Sequence, residues 1–216
     1  MYCSVNGIQM YYEVTGKGDP VIMVHGNGET HDIFDVCIRE LQKTHTVYAV
    51  DSRCHGQSTD TDALSYDLMA SDLIGLIREL QIKRPSFYGF SDGGIIGLLI
   101  AMKEPSLLEK LIISGANLNP FGLKMSCLLS LIPDALKGNK LFRLMIREPH
   151  ILPEDLKKIS IPVAVLAGEK DCIRRRHTEQ IAANIPDSTL EILPGEEHGS
   201  YIVHSEKLYP VLKKYL

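Results

Sequence analysis

The chain has 216 residues, 44% of them hydrophobic and 23% charged, the make-up of a globular protein with one sizeable core. Its formal net charge is −4, with no basic stripe and no acidic tail, which argues against nucleic acid as a partner. Five cysteines, an odd number at irregular spacings without a C-x-x-C pair, argue against a disulfide framework or a zinc site.

The first seven residues contain no basic segment followed by an apolar core, so no signal peptide is expected. The most apolar long stretch, 95–102, falls far short of the roughly 18 residues that span a bilayer. The sequence therefore reads as a single domain over 1–216 in a reduced, cytoplasmic protein without a membrane partner.

Along the chain, residues 2–5 and 9–14 form two extended segments around Asn6-Gly7, a hairpin signal. Continuous apolar runs follow. Val21-Ile22-Met23-Val24 ends in His25-Gly26-Asn27-Gly28, and Val47-Tyr48-Ala49-Val50 ends in Asp51. Phe87-Tyr88 leads to Gly89-Phe90-Ser91, and Leu111-Ile112-Ile113 ends in Ser114-Gly115. Val163 through Ala167 ends in Gly168, and Leu190-Glu191-Ile192-Leu193 is the last. Runs apolar on both faces fit strands buried in a parallel sheet. Between them, helical patterns cover 33–42, 63–80, 94–103, 178–184 and 205–215. The third is apolar nearly all round and stops before Pro105. This alternation predicts an α/β fold: a mostly parallel open sheet with an N-terminal antiparallel hairpin and helices on both faces. The interval of about 117–153 breaks the pattern. Its leucines, isoleucines and methionines, spread among lysines and arginines, predict one or two amphipathic helices roofing the carboxyl ends of the strands.

Gly89-Phe90-Ser91-Asp92-Gly93 matches G-x-S-x-G between a short apolar strand and a strongly apolar helix. Glycines on either side permit the sharp turn that lifts a serine hydroxyl above a sheet, at a helix N-terminus that favours developing negative charge. The bland alternative is a helix-capping serine beside flexible glycines. The order of a His-Gly loop after the first parallel strand, then G-x-S-x-G, an acid and a late histidine resembles the α/β-hydrolase family over essentially the whole chain. The run Gly89 to Gly94 is similar to its small esterases and lactonases. Asp51-Ser52-Arg53-Cys54-His55-Gly56-Gln57-Ser58 matches the family's D-x-R-x-H-G-x-S loop, which is mainly structural there.

The resemblance implies Ser91 as nucleophile, His198 as general base and Asp171 as the acid that orients it, each in a loop after its strand. Rivals are Glu169 for the acid and His204 for the base, the latter inside the last helix pattern. His55 reads as a packed loop histidine. The eight histidines make no H-E-x-x-H, so neither metal nor cofactor is expected. The resemblance also implies an oxyanion hole from the backbone N–H groups of Asn27 and Asp92. The Asp92 side chain either complements the helix N-terminus or faces the pocket and attracts a cationic substrate group. The implied function is a serine hydrolase of a small-molecule ester, thioester or lactone. The alternatives are a carbon–carbon bond hydrolase of the same fold and a non-catalytic ligand-binding protein on this scaffold. A serine at position 91 disfavours dehalogenation through a carboxylate nucleophile. The insertion is short for the family, so the site is either open to solvent or completed by a second copy in a homo-oligomer.

Overall fold

The computed structural model describes residues 1–216. Eight strands form one sheet: β1 (Tyr2–Val5), β2 (Ile8–Gly16), β3 (Asp19–Val24), β4 (His45–Val50), β5 (Ser86–Phe90), β6 (Lys110–Ser114), β7 (Val163–Gly168) and β8 (Ser188–Leu193). Their spatial order is β1-β2-β4-β3-β5-β6-β7-β8. The first two strands pair antiparallel across the tight Asn6-Gly7 turn, and β2 lies antiparallel on β4. Every pairing from β4 to β8 is parallel. Strands β5 and β7 are buried along their whole length, which explains their continuous apolar runs.

Seven α-helices accompany the sheet: α1 (Asp35–Leu41), α2 (Tyr66–Glu79), α3 (Asp92–Lys103), α4 (Met125–Leu136), α5 (Lys140–Arg147), α6 (Arg175–Asn184) and α7 (Leu208–Leu212). Apolar residues of α2, α3 and α6 join one core, and those of α1 and α7 join the core on the opposite face. Helix α3 is buried from Asp92 to Ala101, as its uniform apolarity requires. Ser65 caps α2 by accepting from the Leu68 N–H at 3.1 Å. The last helix is shorter than its sequence pattern: residues 200–207 are mostly turns, and Pro210, which has no N–H, falls in the first turn of α7.

Helices α4 and α5 lie between β6 and β7. Their ties to the body are specific. The Asn27 side-chain amide donates to the Leu141 carbonyl at 3.3 Å, and the Glu148 carboxylate accepts the Tyr66 N–H at 3.0 Å. Lys140 pairs with Asp60. Met125, Leu129, Ile132 and Leu136 leave the outer face of α4 exposed. No helix is long and apolar enough to cross a membrane.

The segment after β4 is a buried polar strut. Asp51 accepts from the His31 ring and backbone and from the Gln57 N–H, at 2.7–2.9 Å. Arg53 grips Asp72 of α2 through Nε and Nη2, at 2.7 and 2.8 Å. His55 is buried, with Nδ1 2.9 Å from the Arg53 carbonyl.

Candidate active site

The turn from β5 into α3 is forced by contact. A Cβ on Gly93 would stand 2.1 Å from the Val24 carbonyl oxygen, so only glycine lets the elbow sit this close to β3. Ser91 has φ 52° and ψ −111°, a conformation that a non-glycine residue rarely adopts and that costs about 1–3 kcal/mol. Its N–H is held by the Ser114 carbonyl at 2.7 Å. The strained turn leaves the hydroxyl at the carboxyl edge of the sheet and at the start of α3.

Loops after β7 and β8 supply the partners. His198 Nε2 lies 3.1 Å from Ser91 Oγ, and His198 Nδ1 lies 2.7 Å from Asp171 Oδ1. Asp171 Oδ1 also accepts the Ile173 N–H at 2.8 Å. Phe90 packs against the imidazole, ring centroids 4.9 Å apart. Gly115, after β6, leaves room on the imidazole's other flank: a Cβ there would meet His198 Cε1 at 2.6 Å. The sequence does not single this glycine out, although the Ser114-Gly115 ending of an apolar run is its signal.

The ionisation states follow from the surroundings. Burial works to lower the His198 pKa, but the Asp171 hydrogen bond, helped by Cys172 and the Asp171 charge, overcomes it and pushes the value up to about 10. Burial works to raise the Asp171 pKa, yet its bonds to His198 and backbone amides hold it below the ordinary carboxylate value. The Ser91 hydroxyl therefore faces an imidazole whose protonated form is strongly favoured.

The backbone N–H groups of Asn27 and Asp92 are both left free by the surrounding turns, loops and side chains. The loop that carries Asn27 is fixed by His25. Burial holds His25 neutral with its pKa near 3, its Nδ1 meets the Gly26 carbonyl at 2.7 Å, and its Nε2 accepts the Ser52 N–H at 3.0 Å.

The Asp92 side chain departs from the expectation that it faces the pocket. It is 2% exposed and is absent from the cavity wall. Its carboxylate accepts from the Tyr66 hydroxyl at 2.7 Å and from the Asn27 side-chain amide at 2.9 Å. Burial raises its pKa against the pull of those two bonds. With both oxygens engaged inside, Asp92 braces the Asn27 loop against α2 and is not offered to a substrate.

The rivals are placed elsewhere. Glu169 accepts the Gly195 N–H at 2.7 Å. His204 lies in a turn outside α7, with φ 48°, and meets Asp35 at 2.8 Å. A cavity of about 270 Å³ opens over Ser91 and His198, and its lining includes Leu123, Cys127, Leu131 and, from α5, Phe142 and Met145. Glu29, which the sequence does not mark, is on this wall as well; its Oε2 accepts the Gly26 N–H at 3.0 Å and burial raises its pKa. Nothing in the His-Gly loop sequence sets this carboxylate apart from an ordinary surface acid.

Comparison with known proteins gives three kinds of match. A family model described as alpha/beta hydrolase fold matches residues 19–126. The human protein named serine hydrolase BPHL is 28% identical over 249 aligned positions, covering 99% of this chain and 84% of the relative. Among solved structures, Est816, described as an N-acyl homoserine lactone degrading enzyme, superposes with a TM-score of 0.87 at 18% identity and full coverage of both chains. The meta-cleavage product hydrolase CumD of Pseudomonas fluorescens IP01 superposes with a TM-score of 0.78 at 18% identity, covering 96% of this chain and 94% of that one.

Proposed function

The chain belongs to the alpha/beta hydrolase fold family, and on that premise we propose that it is a serine hydrolase cleaving a small carboxylic ester, or a related thioester or lactone, through an acyl-enzyme on Ser91. The observation that carries this reading is the unbroken line of contacts from Ser91 Oγ through the His198 ring to Asp171, at 3.1 and 2.7 Å. Ser91 attacks the carbonyl carbon while His198 Nε2 takes its proton. Asp171 fixes the tautomer, with the proton on Nδ1, and stabilises the imidazolium that forms. The carbonyl oxygen becomes an oxyanion facing the free N–H groups of Asn27 and Asp92. His198 then returns the proton to the leaving alcohol, and water, activated by the same imidazole, releases the acid and frees Ser91.

The apolar wall supplied by α4 and α5 suits a short acyl or alkyl group. The name of the human relative and the lactone-degrading activity described for Est816 are in keeping with attack on an ester-type carbonyl.

The test is a hydrolysis screen across p-nitrophenyl esters of increasing acyl length, thioesters, lactones and vinylogous diketones, with Ser91→Ala as the control. Turnover of short esters, reduced at least about a thousandfold in Ser91→Ala, is expected. Turnover of the diketones alone would replace the proposal with carbon–carbon bond cleavage. Tight binding without turnover of any of them would make the chain a ligand-binding protein.

A further inference from the structure

The hydrolytic cycle leaves two thiols on the cavity, Cys127 and Cys172, without a task. Cys172 is a free, half-buried thiol on the wall of the same cavity as Ser91. Its Sγ, an imidazole nitrogen of His198 and a carboxylate oxygen of Asp171 all lie within 4.8 Å of one another. Asp171 contributes a second observation. Its side chain is nearly sealed from solvent, Oδ1 takes both the imidazole and the Ile173 amide, and Oδ2 has no hydrogen-bond partner. A buried carboxylate oxygen without a donor can take a further partner, a water or a cation among them.

We propose that Cys172, His198 and Asp171 form an inhibitory site for a soft divalent cation, with zinc the best fit. Thiolate, imidazole and carboxylate are the donors zinc prefers, and three protein ligands leave the fourth tetrahedral position for a water from the cavity. Bonds of about 2.0–2.3 Å set neighbouring donors roughly 3.3–3.7 Å apart, so Cys172 moves in by on the order of 1 Å and the 2.7 Å contact between His198 and Asp171 opens to admit the ion. The thiol proton and one proton of the imidazolium leave to solvent on binding, and the two charges of the cation are matched by the thiolate and the carboxylate. An imidazole committed to the cation cannot take the proton of Ser91, so occupancy stops hydrolysis reversibly. Cys127, the other thiol on the cavity, is outside the cluster. The sequence hides this arrangement because two of its ligands are adjacent residues and the third is 26 positions further on, a spacing with no metal-motif signature.

The inhibitory half of this proposal rests on the serine-hydrolase reading; the binding half does not, and the experiment separates them. The full chain is titrated with Co²⁺, whose bond to a thiolate gives a charge-transfer band in the near ultraviolet, and then with Zn²⁺ to displace it. One Co²⁺ per chain is expected, with the band bleached by Zn²⁺, absent in Cys172→Ala and retained in Cys127→Ala. Ester hydrolysis should fall with one equivalent of Zn²⁺ and return with EDTA. Losing even a supporting partner of a ligand weakens metal binding by about 10- to 100-fold. Cys172→Ala should therefore need at least about a hundredfold more Zn²⁺ for the same fractional inhibition of its own zinc-free rate. No thiolate band in the unmodified chain, or a band and inhibition unchanged in Cys172→Ala, overturns the site. A band without any esterase activity to inhibit would keep the site and sink the hydrolase reading instead.

Discussion

At the scale of single residues, the proposed catalysis turns on what holds the His198 imidazole. The same Asp171 contact that orients the ring also stabilises its protonated form, against the opposing effect of burial. The proposed mechanism needs the neutral ring, so the rate is expected to fall as pH drops through the raised pKa. The acid limb of kcat/KM is expected well on the alkaline side of 6.5, with activity still climbing above neutral pH. In Asp171→Asn the charge that raises the pKa is gone and the wrong tautomer is favoured. The limb should move down towards the value of a free imidazole while kcat falls by about ten-thousandfold. A limb at or below 6.5 in the unaltered chain would contradict the proposed pairing. Single residues are also where the sequence is least legible. Ser91, Asp171 and His198 can be marked because each follows its strand in a recognisable order. The direction of the Asp92 carboxylate cannot, because its partners Tyr66 and Asn27 are 26 and 65 positions away and meet it only in the folded chain.

Among the elements, strands and loops act together to hold the site rigid. The imidazole lies in a slot between Phe90 of β5 and Gly115, just past the end of β6. Gly115 has φ 63°, so alanine there is strained by its backbone and collides with the ring by its Cβ. Displacing a catalytic group by about 1 Å can cost on the order of a hundredfold in rate. Gly115→Ala is expected to lower kcat by that order, with a native far-ultraviolet spectrum; near-normal kcat would show that the slot has slack. The elements themselves are largely readable. Both-face apolar runs mark strands of a parallel sheet, and the unbroken apolarity of 94–103 marks a helix buried in the core it shares with α2. The exception is the last helix, which apolar spacing extends over 205–215. Observed α7 spans only Leu208–Leu212, since turns precede it and proline sits in its first turn.

Across the molecule, α4 and α5 stand over the site, and α5 with its cap residue Glu148 is bound to the body through Asn27, Tyr66 and Asp60. Their inner side chains set the size of what enters. Phe142 is the largest of them on α5, so Phe142→Ala should lengthen the cavity and shift the preferred acyl chain upward by several carbons, read from kcat/KM across an ester series. An unchanged chain-length profile would mean that the acyl group lies elsewhere. The sequence shows that helices interrupt the sheet order here. It does not show which leucines and methionines turn inward, because α4 carries apolar residues on both its inner and its outer face. The decisive measurement is labelling of the folded chain with a fluorophosphonate, followed by peptide mapping. A single adduct on Ser91 is expected, lost in Ser91→Ala and formed far more slowly in His198→Ala; an unlabelled folded chain, or an adduct on another residue, would refute Ser91 as the activated nucleophile.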